Sequence, residues 1–167
     1  MKNLKSLLLV AVIAFSFNNI QAQSKVAHID FQAIVQLMPE TKAMMTELDK
    51  LGKSYQDELK KSEEELVAKG NKYKTEANTQ TPAENQKRQL EFQTSEQKLY
   101  NAQQAAQQAL GQRRNELLEP IIKKMTEAIK AVAKEQGIEY VMDKTSLIVA
   151  EGTDLASLVK AKLNITE

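Results

Sequence analysis

The chain has 167 residues, with 23 Lys and Arg against 22 Asp and Glu, one His and no Cys. This excludes disulfides, thiol chemistry and His/Cys zinc sites, and the near-zero net charge lacks the basic excess of a nucleic-acid binder. Trp is absent and only five Gly and three Pro occur, which leaves few turns and little material for one large core and suits long helices exposed on several sides.

Lys2 and Lys5 precede an apolar run from Leu7 to Phe17, then Asn18, Asn19 and a small residue at Ala22. The pattern predicts a cleavable secretory signal peptide over residues 1–22. The run is short of the roughly 20 apolar residues of a membrane span, and no Cys follows it to carry a lipid. Residues 1–22 hold two lysines and no acid, so the mature segment from Gln23 keeps 21 basic and 22 acidic residues, a net charge of −1.

Val26 to Asp30 predicts a short strand, with Asp30 capping a helix from Phe31 to Leu37. Met38-Pro39 interrupts that helix, and Pro39 suits the first turn of the next. From Glu40 to about Asn78 no Pro occurs, and Leu48, Leu51, Tyr55, Leu59, Ser62, Leu66, Lys69 or Gly70, Tyr73 and Ala77 recur at steps of three and four. That is a coiled-coil-like seam, weakened at Ser62 and Gly70. Thr81-Pro82 supplies a cap and a first helical residue, so the short break over 79–83 implies an antiparallel helical hairpin. The return helix is predicted from Pro82 to about Glu135, with Phe92, Leu99 and Ala106 in one row and Ser95, Ala102 and Ala109 in another. An arm of about 40 residues would reach roughly 60 Å.

A denser apolar face follows at Leu117, Leu118, Ile121, Ile122, Met125, Ile129 and Val132, with a kink expected at Pro120 and a stop at Gly137. Ile138 to Asp143 reads as a strand and Leu147-Ile148-Val149 as its hairpin partner. Thr153 or Asp154 caps a last amphipathic helix carrying Leu155, Leu158, Val159 and Leu163. The fold class expected is α+β, mainly α, with a long antiparallel hairpin over 46–116 projecting from a small β-stranded oligomerisation body made of residues 23–45 and 117–167. That body is too small to bury its own faces, and Val26, Ile29, Ile121, Ile122, Tyr140, Val141, Leu147 and Val149 are its expected assembly residues.

The opening strand with Phe31-Gln32, the Leu117-Leu118-Glu119-Pro120-Ile121 junction, Ala128 to Tyr140 (AIKAVAKEQGIEY), Val141-Met142-Asp143 and Asp154, in this order around a long polar hairpin, resemble the Skp/OmpH family of periplasmic chaperones. The resemblance spans nearly the whole mature chain. It implies a homotrimer, with strands of three chains in a central body and three hairpins around a cavity, that holds unfolded outer-membrane proteins in the periplasm without ATP. Better-known members are strongly basic; this near-neutral segment implies at most weak contact with a membrane surface.

Other motifs read as ordinary structure. Gly52-Lys53-Ser54 lacks the earlier Gly of a phosphate loop, where Glu47 stands, and sits in a helix without a preceding strand. His28 is expected to be a satisfied structural histidine, and no G-x-S-x-G elbow is present. Glu63 to Glu65 with Lys60 and Lys61 serve a solvated face, and Asn164-Ile165-Thr166 is a chance sequon. No catalytic residue, metal site or cofactor is expected, and the chain is not read as an enzyme. The stripe Tyr55, Leu59, Leu66, Tyr73, Phe92 and Leu99 packs the two arms together or touches clients, and Met44 and Met45 are adaptable side chains for either role. The alternative to a holdase is a structural or adaptor protein of the cell envelope whose hairpin docks one folded partner.

Overall fold

The computed structural model describes residues 25–165. The expected signal peptide lies outside them. Strand β1, Val26–Ile29, leads into helix α1, Phe31–Leu37. Asp30 Oδ1 accepts from the Ala33 N–H at 2.9 Å, which caps α1 as expected. Helix α2 runs over Pro39–Glu76, 38 residues, with Pro39 at its start. A 3-10 turn at Ala77–Thr79 closes the arm. Helix α3 spans Pro82–Glu135, 54 residues, with Thr81 Oγ1 accepting from the Glu84 N–H at 3.2 Å. At 1.5 Å per residue α2 is about 57 Å long.

Helix α3 continues through Pro120, which has no N–H to give to the carbonyl one turn back. At the far end Gly137 has φ +62°. The Ile138 N–H bonds the Ala133 carbonyl at 2.8 Å and the Gly137 N–H bonds the Lys134 carbonyl at 3.2 Å. This is a Schellman cap, in which a left-handed residue satisfies carbonyls the helix end leaves free.

Strand β2 covers Tyr140–Asp143, a 3-10 turn covers Lys144–Ser146, and strand β3 is the pair Thr153–Asp154. The sheet order is β2-β1-β3, and both pairings are parallel: Val26 faces Tyr140 and His28 faces Met142, while Ala27 faces Thr153 and His28 faces Asp154. This corrects the expected β-hairpin. Leu147, Ile148 and Val149 form no strand; Ile148 is fully exposed and Val149 is 69% exposed. The second edge of β1 is taken by β3, and the Leu155 N–H extends the ladder to the His28 carbonyl at 3.0 Å.

Helix α4, Ala156–Lys162, closes the body. Asp154 Oδ1 accepts from the Ala156 N–H at 2.8 Å at its start. It ends on Asn164, φ 56°, in a second Schellman cap: the Ile165 N–H bonds the Lys160 carbonyl at 3.0 Å and the Asn164 N–H the Ala161 carbonyl at 3.1 Å. The Asn of the apparent sequon therefore has a backbone role of its own.

The core sits entirely at the base of the hairpin. Ile34, Met38, Met125, Leu155 and Val159 are its largest fully buried side chains, joined by Ala27, Ile29, Ile121 and Val132. Beyond Met44 no residue of the outgoing arm is buried, and none of the return arm before Ile121 is. The arms are held by each other and by surface ion pairs, Lys124 with Glu40 and Arg113 with Glu47 near the base.

Candidate functional site

The stripe expected from the sequence lies on the arms. All six stripe residues, Tyr55, Leu59, Leu66, Tyr73, Phe92 and Leu99, are half-buried. They line the seam between α2 and α3, but the seam does not close over them. Tyr55 and Leu59 line a groove of about 320 Å³ against Ala102, Ala105, Ala106 and Ala109. Leu66 and Leu99 line one of about 280 Å³ with Ser62 and Ser95. Tyr73 and Phe92 line one of about 520 Å³ at the tip. Small residues on one helix opposite larger ones on the other leave these spaces, and a half-filled seam gives up contact energy along its open side. The same side chains thus pack the two arms together and line the grooves between them.

Local chemistry explains the weak seam positions. Ser62 turns its hydroxyl to the Glu58 carbonyl of its own helix at 3.0 Å, so it offers the opposite arm no apolar group. A β-carbon at Gly70 would lie 2.9 Å from Phe92 Cε2; the Gly lets the ring rest on the α2 backbone. Lys69 Nζ reaches Ser95 Oγ at 3.2 Å across the arms.

The tip is tied more firmly. Arg88 pairs with Glu76 at 2.9 Å and Glu84 at 3.2 Å, and its guanidinium lies 4.9 Å from the centre of the Tyr73 ring. The Tyr73 hydroxyl donates to Glu91 Oε2 at 2.6 Å. That bond holds the Glu91 carboxyl below its ordinary range and raises the Tyr73 phenol. The Asn85 side chain donates to the Ala77 carbonyl at 2.8 Å and closes the turn.

Further apolar side chains lie off the seam and were not singled out from the sequence. Val67, Leu90 and Tyr100 are each more than half exposed. Their signal in the sequence is negative: they fall outside the three-four spacing.

In the body, the expected assembly residues divide. Val26, Ile122, Tyr140 and Val149 are exposed, and Val141 and Leu147 are half-buried. Ile29 and Ile121 are 2% and 3% exposed and belong to the protomer's own core. His28 is buried as expected but is not satisfied: neither ring nitrogen makes a hydrogen bond with a described residue, and the nearest acid, Asp154 Oδ2, stands 3.8 Å from Nδ1. Among the described residues no group of His, Asp and Glu could hold a metal ion, and no helix is long and apolar enough to cross a membrane.

Residues 25–163 match the family described as outer membrane protein (OmpH-like). The chain belongs to the OmpH-like family. Among curated relatives, the chaperone protein Skp of Pectobacterium atrosepticum is 24% identical over 140 residues, covering 83% of this chain and 85% of that one. The chaperone protein Skp of Photorhabdus laumondii is 27% identical over 136 residues, covering 81% and 82%. A crystal structure of an OmpH-like protein from Caulobacter crescentus superposes with a TM-score of 0.75 at 16% identity, over 84% of this chain and 83% of that one.

Proposed function

We propose that this chain is an ATP-independent periplasmic holdase, secreted by its signal peptide, that binds unfolded outer-membrane proteins and prevents their aggregation as a homotrimer. The observation that carries it is the pair of long arms, carried by helices of 38 and 54 residues, with half-open apolar grooves spaced along a polar surface. An unfolded β-barrel precursor exposes apolar strands that aggregate through their edges. Several weak grooves on one scaffold hold such a chain by high effective concentration rather than by one tight site. Each contact is weak, so a client that folds and withdraws its apolar groups leaves without nucleotide chemistry. The relatives named as chaperones support this reading.

Self-assembly is supported by the body's outer surface. Val26, Tyr140 and Met142 are 47%, 60% and 44% exposed, and the segment after β2 adds the exposed Ile148 and Val149. Strand β2 pairs only with β1 among the described residues, which leaves an open edge of the kind a second chain covers.

The test is light scattering as a urea-unfolded outer-membrane β-barrel protein is diluted into ATP-free buffer with and without purified residues 23–167. Suppressed aggregation at a fixed ratio of oligomer to client is expected. A folded, helical protein with no effect would sink the holdase reading and turn attention to a single folded docking partner.

A further inference from the structure

The groove at the hairpin tip has walls that are fixed before anything binds. Tyr73 is held from two sides, by its bond to Glu91 at 2.6 Å and by the Arg88 guanidinium over its face. Arg88 is itself held by Glu76 and Glu84. Phe92 rests on the backbone at Gly70, where no β-carbon intervenes. A partner entering this groove therefore meets ordered side chains and does not have to order them.

Of the two charged side chains that line the groove, Arg88 is engaged by Glu76 and Glu84 and Glu96 has no ion pair among the described residues; the other polar groups open to a partner are neutral. Gln89 and Gln93 line the groove one helical turn apart on α3. Both are exposed, and neither carboxamide bonds a described residue. A carboxamide donates and accepts at once, as a peptide amide does. Glu96 on the same rim opposes an anionic ligand. The volume, about 520 Å³, lies within the range of sites that enclose a compact organic group with its neighbours.

We propose that the tip groove is a peptide subsite that takes one aromatic or branched aliphatic side chain of an extended, uncharged segment. Tyr73 and Phe92 wall that side chain, and Gln89 and Gln93 hydrogen-bond the backbone amides flanking it. This rests on the holdase reading and deepens it: of the three grooves, this one is walled by two rings and rimmed by free carboxamides.

The test uses residues 23–167 and a short, end-blocked, dye-labelled peptide of Ser, Thr and Gly around one Phe. Anisotropy gives the affinity, and amide chemical shifts give the place. Binding with shifts centred on residues 70–93 is expected. Q89A/Q93A should bind about five- to tenfold more weakly, the loss of two neutral hydrogen bonds, and a peptide with Ala for Phe should bind on the order of tenfold more weakly. Equal affinity of wild type and Q89A/Q93A, equal affinity for the Ala peptide, or displacement of the peptide by inorganic phosphate would each overturn the subsite. Aggregation suppression is measured on the same preparations. If wild type suppresses aggregation while the peptide results are negative, the subsite falls and the holdase stands. If wild type binds the Phe peptide at the tip but suppresses nothing, the holdase falls and the subsite stands.

Discussion

Gly70 on α2 and Phe92 on α3 meet so closely that a methyl group on the first would sit 2.9 Å from Cε2 of the second. Two opposite effects follow from Gly70→Ala. The helix gains about 1 kcal/mol of propensity in its interior, and the ring must move off the α2 backbone. A ring is rigid and its displacement also loosens Tyr73 and Arg88 beside it. The expected outcome is a chain whose total helicity is unchanged or higher but whose amides over residues 70–93 exchange faster. Slower exchange there would show that the ring yields without disturbing its neighbours.

Ser62 lines both mid-arm grooves, one with Leu66 and Leu99 and one with Tyr55 and Leu59. Ser62→Leu puts an apolar side chain in the seam and removes a hydroxyl that bonds only its own helix. Partial burial of the added carbons should stabilise the hairpin by about 1 kcal/mol, seen as a higher urea midpoint. The same change fills space that the holdase reading assigns to clients. Suppression of client aggregation should fall as stability rises. A gain in both would mean that the mid-arm grooves are packing defects with no part in binding.

The hairpin was legible because its signals are local. The three-four spacing from Leu48 to Ala77, the Thr81 cap and Pro82 at N1 need only neighbours in the chain, and Gly137 marks its own helix end by its positive φ. The sheet was not legible in the same way. Leu147-Ile148-Val149 has strand composition, yet the edge of β1 goes to Thr153–Asp154, two polar residues without alternation. Their pairing is backbone to backbone with a strand more than a hundred residues earlier, and it is anchored by Leu155, which is fully buried. No periodicity records such a contact. The stripe was visible as a seam, but its half-open grooves depend on which small residues face which large ones across the arms, and spacing within one helix does not contain that.

Acid should loosen the ends of the hairpin first. Lys124 bonding holds the Glu40 carboxyl below its ordinary 4.5 at the base, and the Tyr73 hydroxyl does the same for Glu91 at the tip. Thr145 lowers Asp143 in the body from its ordinary 3.8. A carboxyl lowered in the fold binds its proton more readily in the unfolded chain, so its contribution is present above the unfolded value and is lost as pH falls through the folded one. Thermal stability should hold from neutrality to about pH 5 and decline below it. Glu91→Gln should remove part of the decline, read by amide exchange at the tip. A pH-independent melting temperature down to the ordinary carboxylate range and below would contradict these assignments.

Asn164 is the helix-ending residue of α4 at φ 56°. Replacement by Gly keeps that conformation without strain, whereas Ala disfavours it by roughly 1 kcal/mol. Asn164→Ala should lower the melting temperature and Asn164→Gly should not, whatever the glycosylation state. Equal loss from both would shift the importance to the Asn side chain.

His28 offers the sharpest test of the body. Its side chain is 5% exposed, and its ring nitrogens lack hydrogen-bond partners among the described residues. Asp154, the nearest acid, is occupied elsewhere: Oδ1 accepts from the Ala156 N–H at 2.8 Å and Oδ2 stands 3.5 Å from Lys144 Nζ. Removing the imidazole therefore leaves no carboxylate stranded. A buried polar group without a partner destabilises, and an apolar group of similar size in its place is neutral or favourable. His28→Leu should leave the melting temperature of the isolated protomer fold unchanged or raise it, by up to roughly 1 kcal/mol in stability. Sedimentation of the same variant separates two origins of any loss. Destabilisation with the wild-type oligomeric state would show that the ring is held inside the protomer. Destabilisation that accompanies dissociation would show that a neighbouring chain supplies the partner for one ring nitrogen, which makes β1 part of the assembly surface.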